Sequence, residues 1–270
     1  MNIIKFDKVS IGYIKNQKIL KDFSLEIKKG DFVSIIGPNA SGKSTIIKSL
    51  IKLIKPIEGT IQYEGKNIFD YKPKNYSKLV AYVPQISDFP DDITVYNFVS
   101  MGRYPHNSFF YSDEKENKRI VDWAIEKVDL KGLSDQYLSE LSGGQKQRAL
   151  IALALAQDTE TILLDEPTNH LDIKYQLEII HLLHDLNHTH NKTIILVIHD
   201  INHGIKFANN IVIVNNGEIY KFGSSNEVIS SKAIKDVFGV NAKIGTVQGK
   251  KIIFDYWIDN LKSLDLYEEK

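Results

Sequence analysis

One short stretch of the sequence combines small residues with a single lysine. Residues 37–45 read GPNASGKST and directly follow the apolar run FVSII. Gly37, Gly42, Lys43 and Ser44 fit the spacing G-x-x-x-x-G-K-[ST], and a strand pattern before it and a helix pattern after it supply the context that this motif requires. Glycine lets the backbone approach a phosphate chain, and the N–H groups of the loop then bind it together with the start of the helix. The stretch therefore predicts a nucleotide-phosphate site.

The side chains of this loop have separate expected roles. We expect Lys43 to bridge the β- and γ-phosphates and the Ser44 hydroxyl to ligate Mg²⁺. The residues predicted to contact the nucleotide here are Gly37, Pro38, Asn39, Ala40, Ser41, Gly42, Lys43, Ser44 and Thr45. A phosphate-binding loop alone does not say what the phosphate is used for, so the other motifs must decide this.

A pair of carboxylates ends a second apolar run, TILLDEP, at Asp165 and Glu166. Taken alone, such a pair often marks an ordinary surface turn. Acidic groups at the end of a buried strand are costly unless they face a cation or a reacting water. Asp165 suits the Mg²⁺ shell, and Glu166 suits a general base that polarises the attacking water. With the phosphate loop upstream, the pair indicates nucleotide hydrolysis.

A third motif, LSGGQKQR, places Ser142 and two glycines directly before a helical run. Ser142 and the helix N-terminus form a second anion-binding end, which is more than one nucleotide needs. Here the sequence resembles the ATP-binding cassette family, whose signature is LSGGQ. The resemblance implies that Ser142, Gly143, Gly144 and Gln145 complete the ATP site of a second copy of the chain, head to tail.

The resemblance extends over about residues 3–223 and assigns further residues. Tyr13 matches the aromatic residue that stacks on adenine, and Gln85, at the end of AYVPQ, matches the glutamine that touches Mg²⁺ or the water. Asp172 in HLD matches the loop that crosses the dimer interface, and His199 in LVIHD matches the histidine that contacts the γ-phosphate. The resemblance thus implies catalytic roles for Lys43, Gln85, Glu166 and His199 and an Mg²⁺ shell of Ser44, Gln85 and Asp165.

Narrower matches indicate a branch of the family. TVYNFVSMGRYPH and DEPTNHLDIKYQLEII are similar to the ATPases of bacterial importers for iron chelates. This resemblance implies a peripheral protein on the cytoplasmic face of the membrane, with integral-membrane permease subunits as partners and an extracytoplasmic substrate-binding protein as an indirect one. Uptake of haem, cobalamin or metal cations stays open as an alternative. So does a non-transport cassette ATPase, whereas a small-molecule phosphotransferase would have no use for LSGGQ.

The amino-acid composition argues against several other classes of protein. The chain has 270 residues, 43% of them hydrophobic, and 34 basic residues balance 34 acidic ones, so no net field attracts nucleic acid. Cysteine is absent, which excludes a disulfide framework and thiolate metal sites. Apolar runs such as LIALALA are far shorter than the roughly 20 residues of a membrane span. We expect a soluble protein that reaches the membrane only through a partner.

The order of patterns predicts an α/β fold. Short β-rich runs precede residue 85, a helical stretch occupies about residues 87–157, and strands and helices then alternate. We expect a P-loop ATPase core with an N-terminal antiparallel β-subdomain and an inserted helical subdomain, together spanning residues 1–223. A tail, residues 224–270, which we expect to pack on the core, carries a helical and then a strand-like pattern and no recognisable chemistry. The helix after the phosphate loop is predicted to continue until Pro56.

Four histidines in HLLHDLNHTH nearly imitate a metal-binding spacing: His181, His184, His188 and His190. His184 and His188 lie one turn apart on a predicted helix. The segment lacks a frame of carboxylate and histidine ligands fixed by strands, so we expect solvated side chains and no metal.

Overall fold

The computed structural model describes residues 1–12, 18–85, 89, 92–107, 113–169 and 171–258. The strands in these residues are β1 (Asn2–Ile11), β2 (Leu20–Lys28), β3 (Phe32–Ile36), β4 (Glu58–Tyr63), β5 (Lys66–Asn67), β6 (Val80–Val83), β7 (Thr161–Asp165), β8 (Thr193–Val197), β9 (Asn210–Asn215), β10 (Glu218–Gly223), β11 (Asn241–Val247) and β12 (Lys250–Trp257). The helices are α1 (Lys43–Leu50), α2 (Pro73–Tyr76), α3 (Val95–Ser100), α4 (Glu114–Lys127), α5 (Gly143–Ala156), α6 (Ile173–His190), α7 (Ile201–Phe207), α8 (Ser225–Val228) and α9 (Ser231–Phe238). None of the helices in this part of the chain has the length and apolarity that a bilayer crossing requires.

The central sheet has six strands in the order β10-β9-β3-β8-β7-β6. The five strands from β9 to β6 are parallel, and β10 pairs antiparallel with β9 at one edge. Helices cover both faces, so strands such as β3, β7 and β8 are buried along their whole length. Their carboxyl ends lie along a single edge, which is where ligands bind in open sheets of this type.

A second, antiparallel sheet in the order β2-β1-β4-β5 forms the N-terminal part of the fold. It packs on one face of the central sheet together with α1, because alternate residues of β3 point to opposite sides: Val33 and Ile35 join this core. Phe32 and Ile36 point to the other side and pack with the residues of α5 and α6. The predicted class, an α/β core with an N-terminal antiparallel sheet, is confirmed.

Three helices, α3, α4 and α5, pack against one another between β6 and β7. They lie within the stretch for which a helical subdomain is predicted. In the tail, α8 and α9 precede the hairpin β11–β12, in agreement with the predicted helical and strand-like patterns.

The predicted end of the first helix is wrong. The apolar spacing continues to Ile54, but α1 ends at Leu50. Lys52 has a φ of 65°, in the left-handed region, which a continuing helix cannot contain. Its Nζ donates to the Tyr71 carbonyl at 2.8 Å, and Leu53 is left 70% exposed. The short helix α2, which begins at Pro73, also lacks a counterpart in the sequence prediction.

The segment GRYPH of the helical subdomain is fixed to the end of α5. Arg103 is buried, and its Nη1 donates to the Ala156 carbonyl at 2.8 Å. His106 Nε2 lies 2.8 Å from the Gln157 carbonyl oxygen. Because the last carbonyls of a helix lack partners within the helix, these two side chains satisfy groups that burial would otherwise penalise.

Gly102 lies in this segment where α5 approaches most closely. A Cβ added there would lie 2.4 Å from the Leu153 carbonyl oxygen and 3.0 Å from Ala156 Cβ. We therefore expect Gly102→Ala to destabilise the protein by about 1–3 kcal/mol in urea unfolding, since backbone atoms must move. Gly132→Ala is the control, because an added Cβ there meets nothing within 4 Å. Equal unfolding free energies for the two variants would contradict the packing described here.

Candidate active site

Four neighbouring parallel strands bring the predicted chemistry to one edge of the central sheet. The phosphate loop follows β3, His199 follows β8, Asp165 ends β7, and Gln85 follows β6. These strands are adjacent in the order β3-β8-β7-β6, although their motifs are widely separated in the sequence. The sheet therefore assembles the site that the sequence analysis predicts from separate segments.

The phosphate loop requires glycine at two positions. Gly37 has a φ of 158°, and an added Cβ would lie 2.2 Å from the Val214 carbonyl oxygen. Gly42 has a φ of 108°, and its added Cβ would lie 2.6 Å from Leu20 Cδ2. Gly42 is also the N-cap of α1, so no side chain accepts from the first N–H groups of that helix. These N–H groups and the positive end of the helix dipole form an anion-binding site.

Lys43 is buried within the loop and turned onto its backbone. Its Nζ donates to the carbonyl oxygens of Gly37 at 2.9 Å and Pro38 at 2.8 Å. Burial lowers the pKa of Lys43, and the nearby carboxylates of Glu166 and Asp165 oppose this shift. The ammonium group is thus only partly compensated by the protein, which suits a group that binds an anionic ligand.

Asp165 and Ser44 face each other across the site. Ser44 Oγ donates to Asp165 Oδ1 at 3.1 Å. Burial raises the pKa of Asp165, the adjacent Glu166 raises it further, and the bond from Ser44 lowers it. A hydroxyl and a buried carboxylate form a set of hard oxygen donors, which is the chemistry that Mg²⁺ prefers beside a phosphate chain. The residues present therefore fit this ion.

The Glu166 carboxylate has three side-chain neighbours. Gln85 Nε2 and Asn169 Nδ2 each donate to Oε2 at 2.5 Å, and His199 Nε2 lies 2.8 Å from Oε1. The backbone of Glu166 has a φ of 53°, and its N–H donates to the Val197 carbonyl at 3.0 Å. A positive φ at a residue other than glycine is strained and is common at functional sites.

These residues line an open cleft of about 680 Å³. The lining residues are Ile19, Asn39, Ala40, Gly42, Lys43, Ser44, Thr45, Gln85, Glu166, Asn169 and His199. The sequence analysis misses Asn169, although its position three residues after Glu166, in the turn EPTN, is a signal that it could contact the carboxylate. Tyr13, the predicted adenine contact, lies outside the described residues.

The signature motif lies at the start of α5 and does not line this cleft. Ser142 is the N-cap of α5: its Oγ accepts from the Gln145 N–H, and Gln145 Oε1 accepts from the Ser142 N–H at 2.8 Å. Ser142 and Gly143 are exposed and Gly144 is buried. Asp172 caps α6 by accepting from the Tyr175 N–H at 3.0 Å. Within one chain these residues cap the starts of α5 and α6 and are not among the residues that line the cleft.

The four histidines of α6 are all exposed. The rings of His184 and His188 stack with centroids 6.0 Å apart, and the ring of His181 packs edge-on against Phe207. Partial burial lowers the pKa of His184, and the neighbouring His188 lowers it further. Among the residues that the structure describes, no cluster of three or more His, Cys, Asp or Glu side chains could hold a metal ion.

Comparisons with known proteins agree with this geometry. Residues 20–169 match the model of the ABC transporter family. The chain is 39% identical to the iron(3+)-hydroxamate import ATP-binding protein FhuC of Bacillus subtilis over 91% of both chains. It is 35% identical to the ferric enterobactin transport ATP-binding protein FepC of Escherichia coli over 89% of both chains.

Comparison with solved structures also identifies ABC transporter proteins as similar to this chain. An ABC transporter in an inward-facing conformation matches with a TM-score of 0.81 and 26% identity, over 97% of this chain and 100% of that one. A dimeric bacterial ABC transporter cassette matches with a TM-score of 0.73 and 30% identity, over 82% of this chain and 98% of that one.

The chain therefore belongs to the ABC transporter family and is an ATP-binding cassette ATPase. The predicted resemblance to the iron-chelate branch is confirmed by the relatives named above. ATP is its nucleotide.

The raised pKa of Asp165 gives a prediction about stability. A raised folded-state pKa means that folding disfavours the ionised form, so this group's contribution to stability falls as pH rises through that pKa. At pH 7, Asp165→Asn removes the buried charge and should raise the melting temperature of the nucleotide-free protein by about 2–4 °C. ATP hydrolysis should fall by about 100-fold or more.

The matched control is Asp172→Asn, at an exposed N-cap where the amide caps equally well. Scanning calorimetry should show almost no change in melting temperature for this variant. A lower melting temperature for Asp165→Asn than for the wild-type chain would contradict the assigned cost of burial.

Proposed function

We propose that this chain is the ATP-hydrolysing subunit of an importer for ferric siderophore complexes. The supporting observation is the match, over 91% and 89% of the chain, with ATP-binding proteins named for ferric hydroxamate import and ferric enterobactin transport. In this proposal the chain works on the cytoplasmic face of the membrane. It binds integral-membrane permease subunits, and an extracytoplasmic substrate-binding protein delivers the cargo to them.

The proposed chemistry uses the residues of the cleft. Lys43 exchanges its bonds to the carbonyls of Gly37 and Pro38 for contacts with the β- and γ-phosphates. Burial disfavours its charge, and its hydrogen bonds go to neutral carbonyl oxygens, so an anionic ligand stabilises it better. Ser44, Asp165 and Gln85 would hold Mg²⁺, which neutralises charge on the phosphates when bound. Glu166 accepts the proton of the attacking water, and His199, which lies beside the Glu166 carboxylate, contacts the γ-phosphate.

Two copies of the chain would share each ATP. The glycines of the signature support this part of the proposal. An added Cβ at Gly143 meets nothing within 4 Å, and at Gly144 it makes only ordinary contact with the Tyr175 ring, at 3.5 Å or more. The fold of one chain therefore does not demand glycine at these positions, whereas close approach of a partner's nucleotide would. Together with the exposed N-terminus of α5, this favours a head-to-tail dimer.

A bulky charged residue in the signature tests the shared site. We expect Ser142→Arg to retain binding of a fluorescent ATP analogue, because the chain's own phosphate loop is intact. Hydrolysis should fall by about 100-fold or more, because the arginine blocks the partner's nucleotide. Gly132→Arg is the control for surface charge, since Gly132 lies in open space of the same subdomain. Normal hydrolysis by Ser142→Arg would exclude a shared site.

An exposed apolar pair in the helical subdomain is our candidate contact for the permease. Met101 is 53% exposed and Tyr104 is 76% exposed. They flank the buried Arg103, whose bonds to Asn117 and Ala156 fix the segment. Large apolar side chains held on a rigid surface are typical of protein interfaces. We therefore propose that this segment transmits the closure of the dimer to the permease.

Growth on defined iron sources tests the transport function. Cells that lack this chain should grow normally in iron-replete medium and poorly when iron is supplied only as a ferric siderophore. The wild-type gene should restore growth and Lys43→Ala should not. Lys55→Ala, an exposed lysine shortly after α1, is the control and should restore growth. Uptake of labelled ferric hydroxamates and catecholates, haem and cobalamin then assigns the cargo.

Tyr104→Arg separates coupling from chemistry in the same cells. We expect the purified variant to hydrolyse ATP at the wild-type rate while the cells fail to take up the chelate. Unimpaired uptake of all labelled compounds by the deletion strain would contradict the importer proposal. It would leave the ATPase assignment unchanged.

A further inference from the structure

A side-chain amide joins the C-terminal hairpin to the helix that follows His199. Asn202 lies on α7, and its Nδ2 donates to the Ile253 carbonyl of β12 at 2.8 Å. Its Oδ1 accepts from the Ile253 N–H at 2.9 Å. The N–H donor and the carbonyl acceptor of the Asn202 amide are therefore both bonded to the backbone of one residue, as the backbone of a neighbouring strand would be. Ile253 itself is 3% exposed, so this contact is largely shielded from water.

The position of α7 depends on such tertiary contacts. The helix has only seven residues, and a helix of this length has little stability of its own. Its N-cap is Asp200, which directly follows His199. The Oδ1 atom of Asp200 accepts from the His203 N–H at 3.0 Å. Any shift of α7 is therefore transmitted directly to the backbone of His199.

The His199 ring is partly exposed and lies beside the Glu166 carboxylate. Its side chain is 43% exposed, and its Nε2 lies 2.8 Å from Glu166 Oε1. A second cleft of about 580 Å³ lies between the phosphate loop, the residues from His199 to Asn202, and the tail. Phe238, Val240 and Tyr256 of the tail line this cleft opposite His199 and Asp200. The tail thus forms one wall of the cleft beside the loop that carries His199, and it limits how far this loop can move away from Glu166.

We propose that the tail, residues 224–258, positions His199 for hydrolysis and that Asn202 is the positioning residue that connects the two. This inference rests on the proposed role of His199 at the γ-phosphate. The matched ABC transporter model ends at residue 169, so it does not include this part of the chain. Through the Asn202 amide the tail controls the rate of the chemical step and leaves ATP binding to the phosphate loop.

The test compares two asparagines that bind the tail at different places. Asn202→Ala removes the bonds to Ile253, whereas Asn226→Ala, on α8, removes a bond of 3.0 Å to the Gly249 carbonyl and leaves the amide bonds between α7 and Ile253 intact. We expect Asn202→Ala to lower kcat by about tenfold with KM for ATP little changed, because a misplaced catalytic group affects the transition state more than binding. Asn226→Ala should retain the wild-type kcat.

Two further variants distinguish positioning from a loss of structure. Asn202→Asp keeps the acceptor for the Ile253 N–H and should have an intermediate kcat. In a His199→Ala background, Asn202→Ala should cause no additional loss, because the two residues act as one unit. Urea unfolding and circular dichroism verify that each variant is folded.

Three outcomes would overturn the inference: an unchanged kcat in a folded Asn202→Ala variant, an equal loss in Asn226→Ala, or an undiminished effect of Asn202→Ala in the His199→Ala background. Each leaves the proposed function intact if the wild-type chain hydrolyses ATP and supports chelate uptake. A His199→Ala variant with wild-type kcat would instead refute the role of His199 and, with it, the proposal for the tail.

Discussion

Three charged side chains are buried together at one edge of the central sheet. Asp165, Lys43 and Glu166 have exposed fractions of 3%, 5% and 7%. Burial raises the pKa of Asp165 and lowers that of Lys43, so folding disfavours the charged form of both groups. The fold offsets this cost with hydrogen bonds from Ser44 to Asp165 and from Lys43 to backbone carbonyls. The bonds of Lys43 lie within the phosphate loop, whereas the bond from Ser44 to Asp165 requires β3 and β7 to end at the same edge of the sheet.

The strand order places the two charged parts of the site on either side of β8. β3 and β7 carry the phosphate loop and the acidic pair, and β8 lies between them. The space above β8 is therefore flanked by an anion-binding helix start on one side and by carboxylates on the other. A nucleotide with a bound cation would satisfy both sides at once, whereas either component alone would leave one side unpaired.

The sequence predicted the parts of this site that follow local rules. The residues of GPNASGKST, TILLDEP and LVIHD lie at the ends of buried strands in the structure, because apolar runs followed by small or charged residues describe that geometry directly. The end of α1 was predicted wrongly because a local rule, the apolar spacing, was the only signal available. Its apolar spacing continues, but the contact between Lys52 and the Tyr71 carbonyl, remote in sequence, accompanies the turn that ends it.

Contacts between a side chain and a backbone group far away in the sequence could not be predicted, because no motif or spacing marks them. Arg103 binds the Ala156 carbonyl and Asn202 binds the backbone of Ile253, and neither pair has a defining spacing. Asn169 is an intermediate case: it lies three residues after Glu166, but it contacts a carboxylate whose backbone has a positive φ, which the sequence does not indicate. The residue types of the candidate site were therefore predictable from the sequence, and the side chains that hold the surrounding segments in place were not.

The three neighbours of Glu166 come from three separately placed parts of the chain. Gln85 follows β6 and leads into the helical subdomain, Asn169 lies in the turn toward Asp172, and His199 precedes α7. Gln85 and Asn169 both donate to Oε2 and His199 lies beside Oε1, so few of the roughly four lone-pair sites of this carboxylate are left for a water molecule. Each of the three leads toward a different surface: the exposed Met101 and Tyr104, the start of α6, and the C-terminal hairpin. In the proposed function, the access of water to the Glu166 carboxylate therefore depends on the position of three separate parts of the chain.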